Sequence, residues 1–150
     1  MALIDIHASK SLTVSSEFPY SNINSKTIYI GNRYVEKKHV AHCISYLYFD
    51  LSKIPANAKL LSAILVLFKR YPSPSENRCT SSNISCFLDR QKEECFVCPL
   101  IDYFSSNTNY KNRPNFDPSL ELEFSIDDND IYTEIEVTPI VSKWIQGHLS

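Results

Sequence analysis

Apolar and polar residues alternate with a period of two along much of this chain, which predicts β-strands that are buried on one face. The two clearest alternating segments are residues 120–126 and 131–137. The short polar segment Asp127-Asp128-Asn129-Asp130 joins them. Because such a connection favours antiparallel neighbours, the sequence predicts a β-hairpin here, with glutamates on its outer face.

The rest of the chain also contains short strand patterns, separated by turns rich in Pro, Asn and Ser. Alternating or apolar segments occupy residues 4–14, 27–30, 43–51, 63–68 and 84–88. Residues 63–68 are apolar at every position, which predicts a central strand covered on both faces.

Three segments predict interruptions between these strands. Residues 18–22 contain Pro19 and predict a break after the first strand. Gly31 and Asn32 predict the end of the second strand, and residues 90–107 have no regular pattern.

One short helix is predicted near the C-terminus. Thr138 is a suitable N-cap, Pro139 suits the first helical position, and Gly147 can end the helix. Its apolar stripe consists of Ile140, Val141, Trp144 and Ile145. With 150 residues, 43% of them apolar, the chain fits one domain, residues 1–150. We therefore expect an all-β protein, an antiparallel β-sandwich with one short C-terminal helix.

Charge and composition argue against several functions. The net charge of -2 and the lack of a basic stripe predict no nucleic-acid partner. No apolar run approaches the roughly 18–20 residues that span a bilayer, so membrane insertion is not expected. Two glycines argue against a phosphate-binding loop, and no catalytic motif is present. We expect no enzyme activity and no cofactor. Met1–Asp5 does not resemble the start of a signal peptide.

The cysteines are candidates for disulfides or cross-links, within or between subunits. They are Cys43, Cys79, Cys86, Cys95 and Cys98. A structural zinc site, a redox pair at Cys95-Phe96-Val97-Cys98 and plain thiols are the alternatives. Zinc would need two further ligands, which Cys79 and Cys86 can supply, but the spacing does not favour it. Cys86 is expected to be a small core residue.

Acidic residues offer two further candidate sites. Glu121, Glu123, Glu134 and Glu136 lie on the outer faces of the two strands predicted to be neighbours. A glycosidase uses a carboxylate pair, but alternating acids favour a solvated sheet face. Residues 127–130 offer oxygen ligands for calcium, although a turn with Asx hydrogen bonds fits them better.

Four segments, in this order along the chain, carry a resemblance to a known family. They are Thr27-Ile28-Tyr29-Ile30-Gly31, Tyr46-Leu47-Tyr48-Phe49-Asp50-Leu51 with Ile54-Pro55, Tyr110-Lys111-Asn112-Arg113-Pro114, and Glu136-Val137-Thr138-Pro139-Ile140-Val141 with Trp144. Together they resemble the DNRLRE-domain family, with Tyr110 where that family usually has Trp. The resemblance covers roughly residues 1–147.

The resemblance implies a jelly-roll β-sandwich that serves as a non-catalytic structural or adhesive module of a bacterial surface layer. It implies a spore or cell surface location and self-assembly with further copies or other surface-layer proteins, through sheet edges and cysteines. Tyr110, Asn112, Arg113, Pro114 and Trp144 are its structural motif. We expect Asn112 and Arg113 to hold a loop through backbone hydrogen bonds rather than to contact a ligand.

The alternative function is a carbohydrate-binding module that recognises a polysaccharide. Such a module needs exposed aromatic side chains, for which Tyr20, Tyr29, Tyr34, Tyr46 and Tyr48 are candidates, although most are expected to be ordinary tyrosines of the sheet surface.

The chain departs from the family in two places. Residues 90–107 carry a cysteine pair where the family commonly has a Trp-Thr-Glu-like segment. The family also continues beyond the Trp helix with another apolar strand, whereas this chain ends at Ser150. We therefore expect an N-terminal module of a longer protein, or an open sheet edge that a strand from another subunit fills.

Overall fold

The computed structural model describes residues 3–25, 27–28, 31–36, 39–55, 57–68, 92–127 and 131–147, and the structural statements below concern these residues. They form antiparallel strands in small sheets and one short α-helix, as expected of an all-β chain. The strands are β1 (Lys10–Ser15), β2 (Phe18–Ile23), β3 (Gly31–Glu36), β4 (His39–Tyr48), β5 (Ile64–Phe68), β6 (Lys92–Val97), β7 (Leu122–Asp127) and β8 (Tyr132–Glu136). The helix is α1 (Thr138–Ile145), and Leu51–Lys53 and Pro118–Leu120 form short 3-10 helices.

The largest sheet has four strands in the order β2-β1-β4-β3. Leu12 lies opposite Tyr46 and Val14 lies opposite Ile44, so these side chains share one face. Leu12, Val14 and Tyr46 are buried and form the centre of a hydrophobic core. The side chains that pack against it are Ile44, Leu100, Phe104 and Tyr110. Three of these come from residues 98–121, the β6–β7 connection, which therefore covers this face of the sheet.

The β6–β7 connection is tied to β2 by hydrogen bonds. The side-chain amide of Asn22 donates to the carbonyl oxygens of Ser106 and Thr108 at 2.7 and 2.8 Å. The Lys111 N–H donates to the carbonyl oxygen of Pro19 at 3.1 Å. These bonds occupy polar groups along an edge strand that would otherwise face solvent.

Two predicted interruptions were wrong, because residues 18–22 and Gly31 lie within strands. Phe18–Ile23 is β2, which is an edge strand. Pro19 fits there because an edge strand does not need every backbone N–H for pairing. Gly31 begins β3 instead of ending a strand. Thr27 and Ile28 are not in a strand, and Tyr29 and Ile30 lie outside the described residues.

The predicted hairpin of residues 120–126 and 131–137 was also wrong. β7 pairs with β6, with Cys95 opposite Phe124, whereas β8 pairs with β5, with Leu65 opposite Ile135. Consecutive strands therefore belong to different two-stranded sheets. Alternation identifies the buried face of a strand, but it does not identify the neighbouring strand. β6 lies within residues 90–107, for which no strand was predicted.

Strand β5 is not covered on both faces. Leu65 and Leu67 are half-buried, but Ile64, Val66 and Phe68 are 54%, 39% and 75% exposed. An apolar run does not distinguish a strand that is covered on both faces from a strand that has one apolar face exposed to solvent.

Helix α1 starts one residue earlier than the sequence predicts. Val137 is the N-cap residue and Thr138 is already helical. The Thr138 hydroxyl instead accepts a hydrogen bond of 3.0 Å from the Ala63 N–H, next to β5. Ile140 and Val141 are buried, and Gly147 follows the helix with a φ of +76°, the left-handed conformation that favours glycine. None of the described helices combines the length and apolar character needed to cross a membrane.

Candidate functional site

The β6–β7 connection contains four of the five motif residues, and asparagines fix its shape. The Asn109 N–H donates to Asn112 Oδ1 at 2.6 Å, and the Asn112 N–H donates to Asn109 Oδ1 at 2.9 Å. Asn112 Nδ2 also donates to the carbonyl oxygen of Asn107 at 3.2 Å. These contacts agree with the expectation that Asn112 holds the loop through backbone groups.

Arg113 packs on the aromatic side chain of Tyr110. Its guanidinium carbon lies 3.9 Å from the centre of the Tyr110 ring, and Nη1 donates to the Tyr110 carbonyl oxygen at 3.1 Å. Pro114, the next residue, is buried. Trp144 is half-buried on α1, a different element. The motif therefore includes one loop unit, Tyr110 to Pro114, and one helix residue.

An open depression lies against this loop unit, with a volume of about 290 Å³. Its lining consists of Lys111, Arg113, Pro114, Asn115, Phe116 and Pro118. Phe116 is 51% exposed and adds an aromatic surface beside the two cations. The backbone of Asn115 is held by Asp102 Oδ2, which accepts its N–H at 3.0 Å. The depression thus combines positive charge with an aromatic ring, a composition suited to an anionic or sugar-like ligand.

The described cysteines are poorly placed for exchange with another subunit. Cys43 and Cys95 are buried. Cys98 is half-buried, and its thiol donates to Glu121 Oε1 at 3.7 Å. Burial and the Glu121 carboxylate raise the pKa of Cys98 to about 11, so little thiolate forms at neutral pH. Cys79 and Cys86 lie outside the described residues, as does the strand predicted at residues 84–88.

The acidic residues considered as catalytic or metal sites do not lie together in the described part of the chain. Glu121 and Glu123 belong to the β6–β7 region, whereas Glu134 and Glu136 are in β8 of the other two-stranded sheet. All four glutamates are exposed, as expected of a solvated sheet face. The prediction that they lie on neighbouring strands was wrong, because β7 and β8 belong to different sheets. No group of three His, Cys, Asp or Glu side chains suited to a metal occurs in the described ranges. Residues 128–130 of the candidate calcium turn lie outside the described residues.

The tyrosines differ in their exposure. Tyr46 is buried in the core, contrary to the expectation for a sheet-surface residue. Tyr20 is 76% exposed, and Tyr48 lies beneath Lys10 Nζ, which is 5.6 Å from its ring centre. Tyr29 and the side chain of Tyr34 lie outside the described part of the structure.

Sequence analysis missed an exposed apolar surface on the β5–β8 sheet. We call it the outer face, and it consists of Ile64, Val66, Phe68 and Tyr132, with Glu134 and Glu136 opposite Val66 and Ile64. The rings of Phe68 and Tyr132 lie 6.0 Å apart. The apolar run at residues 63–68 was the available signal, but it was interpreted as burial. Exposed apolar surfaces of this kind are typical of contact sites.

Comparisons with protein-family models, with curated proteins and with solved structures each returned no match to this chain.

Proposed function

We propose that this chain is a non-catalytic structural or adhesive module of a bacterial surface layer, on a spore or a cell, with a DNRLRE-like jelly-roll sandwich fold. The observation that carries the proposal is the outer face, where apolar side chains of β5 and β8 are exposed. A rigid β-structure with an apolar contact surface suits assembly with other subunits better than catalysis.

Two features of the strands support the sandwich. β1 is buried on both faces, since Leu12 and Val14 occupy one and Thr13 and Ser15 the other. β7 and β8, although consecutive, belong to different sheets. Chain crossings between sheets are typical of jelly rolls.

We propose that the subunits assemble mainly through sheet edges and apolar faces, and that cysteines contribute less to the contact. Cys43 and Cys95 are buried, and the raised pKa of Cys98 slows its reaction. Cys79 and Cys86, which lie outside the described residues, are then the remaining candidates for a covalent link between subunits. Assembly should therefore persist in reductant, although cross-links through these two residues can reinforce it.

Light scattering over a range of protein concentrations, with and without reductant, tests this function, together with negative-stain imaging. We expect oligomers that grow with concentration and survive reduction. A strict monomer under both conditions would contradict the proposal. Oligomers lost on reduction would assign the assembly to the cysteines rather than to the sheets.

The depression beside Arg113 favours a second candidate, a carbohydrate-binding module. Exposed Phe116 can stack on a sugar ring, while Lys111 and Arg113 can bind its polar or acidic groups. A glycan array with the wild-type protein and a Phe116→Ala variant tests it. Phe18→Ala is a matched control, since Phe18 is similarly exposed on β2. Binding that is lost only in Phe116→Ala supports this candidate, and silence of the folded protein rejects it.

A further inference from the structure

Strand β5 differs from the other edge strands in the described part of the chain, because nothing in its sequence protects it from pairing. Edge strands usually carry charges, prolines or irregularities that prevent association. β2 has Pro19, β3 has Arg33 and a register shift, and β6, β7 and β8 contain acidic residues. The sequence of β5 is Ile-Leu-Val-Leu-Phe, and its register with β8 is regular.

The backbone of β5 presents a hydrogen-bonding edge on the side away from β8. The Val137 N–H donates to the carbonyl oxygen of Ala63 at 2.9 Å, and the Ala63 N–H donates to Thr138 Oγ1 at 3.0 Å, so Ala63 and Val137 occupy the position of a hydrogen-bonded pair with one of its two backbone bonds. Because such pairs alternate, Leu65 and Leu67 bond β8, whereas the N–H and C=O groups of Ile64, Val66 and Phe68 point the other way. Within the described residues β8 is the only strand paired with β5.

We propose that this edge pairs antiparallel with β5 of a second copy, about a two-fold axis at Val66. The result is a four-stranded sheet in the order β8-β5-β5-β8. Ile64 of each copy then lies opposite Phe68 of the other, and every cross-strand pair is apolar. This inference rests on the proposed assembly function and names the edge that carries it.

The charges agree with this arrangement. Glu134 and Glu136 lie on β8, the outer strand of each copy. Three strand spacings separate the two β8 strands, about 14 Å, which exceeds the Debye length of about 8 Å at physiological salt. Repulsion across the dimer is therefore small. Continued growth through β8 would place acidic strands side by side, so the sheet closes at two copies.

The size of the contact limits its strength. Five residues of strand edge bury less surface than a stable interface of standard size. We therefore expect a reversible dimer with a dissociation constant on the order of micromolar or weaker. Larger surface assemblies would need a second contact.

Sedimentation equilibrium of the wild type, Val66→Pro and Val66→Thr tests the pairing. Proline at residue 66 removes only an N–H that points away from β8, so the native ladder is retained. We expect at least tenfold weaker dimerisation for Val66→Pro and little change for Val66→Thr, with circular dichroism to check folding. If Val66→Pro does not fold, Val66→Lys serves instead, because the lysines of the two copies would face each other across the axis and repel.

A cysteine at the axis tests the geometry directly. Opposed Cα atoms in a hydrogen-bonded antiparallel pair are about 5.5 Å apart, within disulfide range. Val66→Cys should form a disulfide dimer under mild oxidation above the wild-type background, and the exposed control Tyr132→Cys should not. Oligomers that persist in both Val66→Pro and Val66→Lys would contradict pairing through the β5 edge but would not contradict the proposed assembly function. A wild type that remains monomeric would overturn both.

Discussion

Arg113 stacks on the ring of Tyr110, with its guanidinium carbon 3.9 Å from the ring centre, and donates a hydrogen bond of 3.1 Å to the carbonyl oxygen of the same residue. Tyr110 in turn packs against the core that contains Leu12 and Val14. One exposed cation is thereby connected to the centre of the fold. The same side chain lines the depression proposed for sugar binding.

Replacing Arg113 should destabilise the protein, and lysine should not restore the loss. We expect Arg113→Ala and Arg113→Lys each to lower the free energy of unfolding by about 1 kcal/mol, because lysine lacks the planar group that both stacks and donates. Urea unfolding measures the effect. Lys111→Ala, a neighbouring exposed cation, is the control and should change stability by less than about 0.5 kcal/mol. Wild-type stability in Arg113→Lys would contradict this role.

Short-range features of the fold could be predicted from the sequence. Asn112 bonds residues three and five positions away, so its role follows from local chemistry. The apolar stripe of α1 and the strand character of β7 likewise depend only on periodicity. These are the features for which sequence and structure agree.

Features that depend on distant parts of the chain could not be predicted. Whether Pro19 lies in a strand depends on whether that strand is at a sheet edge. The partner of β8 is β5, more than sixty residues earlier, and a turn of four residues gives no information about it. Exposure of Phe68 depends on which elements pack against β5, which a run of apolar residues does not reveal.

The Cys98 thiol should react slowly with alkylating reagents. Burial and the Glu121 carboxylate raise its pKa to about 11, so the reactive thiolate is scarce at neutral pH. We expect Glu121→Gln to increase the alkylation rate of Cys98 several-fold, because the variant removes the negative charge that disfavours the thiolate. Mass spectrometry of the peptide containing Cys98 separates this reaction from those of the other cysteines.

Glu123→Gln is the matched control for this measurement. Glu123 is exposed in β7, opposite Phe96, and is not among the groups that shift the Cys98 pKa. Its replacement should leave the alkylation rate unchanged. Equal acceleration in both variants would indicate a general opening of the β6–β7 sheet rather than the local charge effect.

Tyr46 should make the fold sensitive to alkaline pH. Burial raises the pKa of Tyr46 above its ordinary value of 10.0, while the positive charge of Arg113 acts in the opposite direction. A raised folded pKa means that the folded state holds the proton more tightly. This stabilisation is fully present below about pH 10 and is lost as pH rises through the folded pKa. Urea unfolding between neutral pH and pH 11 should show the loss.

Tyr46→Phe isolates this contribution. The variant should be less sensitive than the wild type to pH above about 10, because it lacks the titrating hydroxyl. Exposed Tyr20→Phe should keep the wild-type dependence. Identical pH profiles for wild type and Tyr46→Phe would show that other groups cause the alkaline loss.

Thr138 should stabilise the protein by joining α1 to β5 rather than by capping the helix. Its hydroxyl accepts the Ala63 N–H at 3.0 Å, and the helix has no side-chain N-cap bond. Thr138→Val should cost about 1–2 kcal/mol, because it leaves the Ala63 N–H without this acceptor, whereas Thr138→Ser should retain most of the stability. Hydrogen exchange at the Ala63 amide distinguishes the two roles. Faster exchange in Thr138→Val alone supports the tie to β5, and unchanged exchange in a destabilised variant contradicts it.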